Sequence, residues 1–126
     1  MNKKERVWAA FHNEVTDHVP CCFWRHYSPE MERGEDVVEA HLKFYRETDV
    51  DLLKISSDGY FGWPEVTLKN LGSARELYGM QHIGSNHPFI REQVARAKAI
   101  VDQVKDECMT VYTLFCPLSI FRLQVG

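Results

Sequence analysis

Apolar positions recur along the chain with two different periods. In "HPFIREQVARAKAIVDQVKDE", Ile90, Val94, Ala97, Val101 and Val104 follow one another at intervals of four, three, four and three. That spacing marks one face of an α-helix, and Pro88 suits the first turn, where a backbone N–H would have no helical partner anyway. A long amphipathic helix is predicted there. Upstream, Val38, Leu42 and Tyr45 repeat at four and three, predicting a helix over about Glu35 to Glu47. Asn2 and Glu5 have the spacing of a helix cap and its third residue, predicting a first helix over about Lys3 to Asn13 with Val7, Trp8 and Phe11 as its apolar face.

Between the helices the pattern turns strand-like. Pro20 in "TDHVP" disfavours helical geometry at Val19, so "CCFW" is the first strand candidate. The polar loop "RHYSPEMERGED" leads to the second helix, "VDLLKI" is the second strand, and "CMTVYTLFCP", rich in Val, Thr, Tyr and Phe, is the third. "GYFGWPEVTLKNLGS" has no dominant period and is expected to be irregular, while "LSIFRLQVG" could open another helix. Alternation of this kind predicts an α/β fold, with parallel strands joined by crossover helices. In such folds functional groups gather just beyond the carboxyl ends of the strands. That rule singles out Arg25 and His26, then Asp58, then Cys116 to Ser119.

Composition narrows the classes. At 126 residues, 44% hydrophobic and 26% charged, the chain can build one modest core, so a single domain over 1–126 is expected. A formal net charge of −3 argues against nucleic acid and anionic membrane surfaces as partners. No apolar run reaches the roughly 18 residues of a membrane span, and "MNKKERVWAAFHNEV" lacks the apolar centre of a signal peptide, which makes the cytoplasm the expected compartment. Cys21, Cys22, Cys108 and Cys116 form no CxxC pair and read as reduced thiols. His18, Cys21, Cys22 and His26 are of types that zinc accepts, yet on a strand Cys21 and Cys22 would face opposite sides. No metal site is expected. "GYFG" is not a GxGxxG loop, and no Walker sequence is present.

Asp58 is the sharpest candidate for chemistry. A carboxylate at a strand end beside Gly59 can meet a ligand's N–H or cationic groups or move a proton; alternatively it closes an Asx-type turn on its own backbone. Arg25 suits a ligand carboxylate and His26 suits proton transfer, against a salt bridge to Glu30, Glu32 or Asp58 and a histidine satisfied by backbone. Lys54, inside a strand, must reach a pocket or pair with a carboxylate. Tyr60, Phe61 and Trp63 wall a pocket or anchor a loop in the core. His82 and His87 have no supporting ligands at metal-binding spacing.

"DHVPCCFWRHYSPE", "VDLLKISSDGYFGWP" and "TVYTLFCPLSI" together resemble the amino-terminal part of the uroporphyrinogen decarboxylase superfamily, which also includes corrinoid-dependent methyltransferases. The resemblance covers most of the chain and implies the first three β/α units of a (β/α)8 TIM barrel, a fold that typically needs about 250 residues. It implies a carboxy-lyase of porphyrin biosynthesis or a methyltransferase, with a small-molecule substrate, tetrapyrrole or small anion, in the intact relative. Arg25 matches the first arginine of the family's carboxylate-binding segment, although "HYSPE" is shorter and carries no second arginine. Ser57 and Asp58 match the Ser-Asp whose carboxylate meets the pyrrole N–H groups, making Asp58 the catalytic candidate and Arg25, His26 and Tyr60 the substrate-binding ones. No cofactor is expected on this chain; in a full-length methyltransferase relative, zinc would sit on His and Cys residues of the carboxyl-terminal half, with a corrinoid. A chain carrying only these units is expected to be inactive alone and to meet a second copy or a partner chain at its open barrel edge. A non-catalytic assembly or ligand-binding module is the remaining alternative.

Overall fold

The computed structural model describes residues 1–62, 64, 72–79 and 81–125. Its helices are α1 (Lys3–Phe11), α2 (Gly34–Thr48), α3 (Pro88–Val104) and α4 (Pro117–Val125), and its strands are β1 (Leu52–Ile55) and β2 (Met109–Tyr112). Short 3₁₀ turns cover Pro29–Met31 and Ala74–Gly79. The strands pair in parallel, with Leu52 opposite Met109 and Ile55 opposite Tyr112, so that α3 lies on the connection between neighbouring strands. This is an α/β arrangement with a crossover helix.

Side chains of β1 alternate across the sheet. Leu53 and Ile55 are buried against Tyr45 of α2 and Ile100 and Val104 of α3, while Leu52 and Lys54 lie on the other face. α1 starts as expected, with Asn2 Oδ1 accepting from the Glu5 N–H at 2.9 Å and the Glu5 carboxylate accepting from the Asn2 N–H at 2.9 Å. Its buried face differs from the prediction. Trp8 and Phe11 are 57% and 67% exposed, and Arg6, Val7 and Ala9 turn inward. The cause is Arg6, whose guanidinium reaches Asp51 at the start of β1 and bonds Asp17 through Nε at 2.6 Å. α3 keeps most of the expected stripe inward, with Val104 buried and Ala97 and Val101 packed against the core. Val94 is 62% exposed, and Arg96 and Ile100 join the inward face, Arg96 finding backbone carbonyls beyond the end of β1.

Of the expected strands, only the second and third form. "CCFW" is extended but is no strand: the Cys21 carbonyl accepts from the N–H groups of Asp51 at 3.0 Å and Leu52 at 3.3 Å, and pairing stops there. Pro20 has no N–H to offer, and the Cys21 N–H is taken by the Asp51 carboxylate at 2.8 Å instead of by a ladder carbonyl. The last residues do form the helix that "LSIFRLQVG" could open. No helix among the described residues is long and apolar enough to cross a membrane.

Candidate functional site

The chain beyond β1 makes a tight turn, closed by the Tyr60 N–H on the Ser57 carbonyl at 3.0 Å. Gly59 takes φ +80° within it, in the left-handed region that a side chain disfavours. A Cβ there would stand 2.8 Å from the Glu32 carbonyl oxygen and 3.0 Å from the Glu32 Cβ. Gly59→Ala is therefore expected to cost about 2 kcal/mol, the left-handed penalty and the collision adding together. Urea unfolding checks this: an unchanged midpoint would mean that the turn has room to relax.

This turn delivers Asp58 to the segment that follows Cys21. Asp58 is 1% exposed. Its Oδ1 lies 2.9 Å from His26 Nδ1, and its Oδ2 accepts from the Tyr27 N–H at 3.0 Å. The Asx-turn alternative is thereby replaced, since the carboxylate bonds across the fold to residues about thirty positions away. The same geometry alters the expected division of labour. Both Asp58 oxygens are engaged by protein donors, so Asp58 positions the imidazole, while His26, its side chain 66% exposed, presents Nε2 to the surroundings. A carboxylate oxygen can only accept when ionised, so Nδ1 carries the proton of the neutral ring and Nε2 keeps its lone pair.

His26 stands in an aromatic setting. The Trp24 ring meets it edge-on at 4.9 Å, the Phe61 ring at 6.4 Å, and Phe61 meets Phe115 at 5.2 Å. The Lys54 ammonium sits 3.8 Å from the centre of the Trp24 ring, which offsets the cost of placing a charge on the strand. Together with Ser57 these groups line a narrow cleft of about 30 Å³. Lys54 thus reaches a cleft, as one of its two readings required.

Arg25 does not join the cleft, and Tyr60 lines an adjoining chamber rather than the cleft itself. Successive side chains of this extended segment point to opposite sides, so Arg25 faces a groove along α2, with its guanidinium 5.4 Å from the Tyr27 ring. Tyr60 is an anchor. Its ring is buried between the guanidinium groups of Arg33 at 4.9 Å and Arg96 at 4.6 Å, and its hydroxyl donates to Glu92 at 3.2 Å. Burial, followed by that bond, raises its phenol above the ordinary range. Trp63 lies outside the described residues.

Two residues that sequence reasoning passed over hold the lip in place. His41 of α2 is fully buried; its Nδ1 lies 2.7 Å from the Val37 carbonyl and its Nε2 accepts from the Ser56 N–H at 3.1 Å. The acceptor duty of Nε2 fixes the neutral tautomer with the proton on Nδ1, and burial pushes the imidazole below its ordinary 6.5. Arg96 of α3 donates to the carbonyls of Asp58 at 2.8 Å and Ser56 at 2.9 Å and to the Tyr112 hydroxyl at 2.9 Å. The one signal available in the sequence was positional: each polar side chain stands next to the apolar stripe of an otherwise amphipathic helix.

Among the described residues no three His, Cys, Asp or Glu side chains gather in metal-holding geometry. His18 lies near Asp17 and Asp51 at the opposite end of β1 from His26. His87 caps α3, its Nδ1 accepting from the Phe89 N–H at 3.2 Å, and His82 is exposed. Cys116 is exposed at the start of α4, where the Ser119 hydroxyl, 3.2 Å away, holds the thiol below its ordinary range. No protein-family model matches the chain, and no curated protein or solved structure matches it either.

Proposed function

We propose that this chain supplies one wall of a small-molecule site of the uroporphyrinogen decarboxylase type, in which His26 moves a proton and Asp58 sets its tautomer and aim. The observation that carries this reading is the 2.9 Å His26–Asp58 bond, with Nε2 unbonded among the described residues at the carboxyl end of β1 beside an aromatic cleft. An imidazole held by a buried carboxylate is an efficient proton carrier because no reorientation precedes transfer. In a decarboxylation the bond to the departing CO₂ breaks and its electron pair stays on carbon; Nε2, having first taken a proton from solvent, would deliver that proton to the carbon and return to its neutral form. The carboxylate behind the ring stabilises the imidazolium until then.

A barrel wall is supported by the one-sided covering of the sheet. α2 and α3 pack on the face carrying Leu53 and Ile55, whereas Lys54 and Trp24 lie on the other side, and Val111 of β2 is 42% exposed. Closed barrels fill that inner face with side chains from further strands. Leu114, Leu118 and Leu123 are also exposed, which suits a second copy or a partner chain closing the site. Turnover by this chain alone is expected to be low, because one wall neither excludes water nor fixes a substrate.

Nitrogen-15 NMR of the histidine rings tests the dyad directly. Neutral His26 should carry its proton on Nδ1, and Asp58→Asn should erase that preference. A ring protonated mainly on Nε2 in the wild-type chain would remove the basis for proton transfer and leave the module reading in its place.

A further inference from the structure

A second chamber of about 330 Å³ adjoins the cleft. Its walls are largely carbon, from Phe89, Ile90, Leu114, Phe115 and Ile120, with the Tyr60 ring meeting Phe89 edge-on at 5.5 Å. Ser57, Thr113 and Phe115 line both spaces, so the two are compartments of one depression. An enclosed apolar cavity of about 150 Å³ takes a benzene ring, which puts one or two fused rings within the capacity of this chamber.

The cleft end adds a few donor groups to a lining that is otherwise carbon. Ser57 is 6% exposed and its hydroxyl has no hydrogen-bond partner among the described residues. Beside it stand the Lys54 ammonium and His26. The one carboxylate that lines the cleft among the described residues, Asp58, has both oxygens occupied by donors, so it offers little to a ligand cation. Donors and positive charge at one end, with an apolar chamber at the other, define an amphipathic ligand.

We propose that cleft and chamber together bind a small aromatic monocarboxylate, its ring in the chamber and its carboxylate against Lys54 and Ser57. This rests on the reading of the strand-end lip as a ligand site, and it narrows the substrate class. A burial-driven ring and a charge-assisted hydrogen bond to an otherwise unpartnered hydroxyl reinforce one another, because neither compartment alone suits the other half of the molecule.

Titration with 2-naphthoate, followed through backbone amide shifts, tests the proposal. Saturable shifts are expected at Ser57, Thr113 and Phe115, with roughly millimolar or tighter affinity. Lys54→Met should weaken binding about tenfold while leaving the neutral 2-naphthylmethanol unaffected, and Ser57→Ala should weaken it about fivefold. The second variant keeps the test decisive if the first does not fold. The proposal is overturned by absent saturation, by equal binding of 2-naphthylmethylamine, or by preferential binding of uroporphyrin. If any of these occurs while His26 keeps its Nδ1 proton, the aromatic carboxylate falls and the proton-transfer site stands. Loss of that tautomer in the wild-type chain removes the site reading itself.

Discussion

Arg96→Met is expected to lower the free energy of unfolding by about 3 kcal/mol, a large part of the total for a domain of this size. The guanidinium is 4% exposed and ties α3 to the Ser56 and Asp58 carbonyls and to Tyr112. Methionine fills similar space but donates nothing, so buried carbonyls lose their partners at about 1–3 kcal/mol each. Part of this is recovered, because burying a guanidinium is itself costly and that cost disappears with the charge. Lysine should rescue poorly, since one ammonium cannot reproduce a planar fork that reaches several acceptors at fixed angles. Urea denaturation of the two variants decides the matter. A methionine variant within about 0.5 kcal/mol of wild type would show that the carbonyls find other donors.

Asp51→Ala should cost about 2 kcal/mol and change the acid limb of the stability curve. Asp51 is 3% exposed, pairs with Arg6, and accepts from the Cys21 N–H at 2.8 Å. Burial alone would raise its carboxyl, but the Cys21 N–H and the Arg6 guanidinium outweigh burial and hold it below its ordinary 3.8. The folded state then binds the proton less readily than the unfolded chain does. Its contribution is complete above about pH 3.8 and is lost as the pH falls through the lower folded value. His41 adds an earlier stage. Held below its ordinary 6.5, it contributes stability above that pH and loses it as the unfolded chain takes up a proton that the buried ring refuses. Wild type should therefore lose stability in two stages on acidification, beginning below about pH 6.5 and again below about 3.8. Asp51→Ala should diminish the second stage and leave the first. A single steep acid transition shared by both proteins would contradict this account.

Legibility in the sequence followed the range of the interactions. The Asn2–Glu5 cap, the long α3 and the two strands that formed are short-range features, and their spacing alone sufficed. Val7, Ala97, Val101 and Val104 lie inward as their spacing indicated, whereas the exposure of Trp8, Phe11 and Val94 was not legible, because apolar periodicity gives no weight to arginine and Arg6 and Arg96 each bring a helix face toward distant acceptors. Asp58 was recognisable as a strand-end group; His26 follows an extended segment that is no strand, and the structure brings the two to 2.9 Å. Their roles were not recognisable, since only the fold reveals that the Tyr27 N–H and His26 between them occupy both carboxylate oxygens. Arg25 was misplaced for want of a known facing: it is adjacent to His26 in sequence and opposite to it in space.

That opposition gives the segment from Cys21 to Tyr27 a parity. The chain is pinned at Cys21 by the N–H groups of Asp51 and Leu52 and at Tyr27 by Asp58, with Trp24 and His26 on one side and Arg25 and Tyr27 on the other. Deleting one residue between the pins would exchange the two sets, sending the imidazole toward α2 and bringing a guanidinium toward Asp58. Deleting two would restore the sides and shorten the reach by about 7 Å, too much for both pins to hold. The segment can therefore diversify by substitution and hardly at all by changing its length.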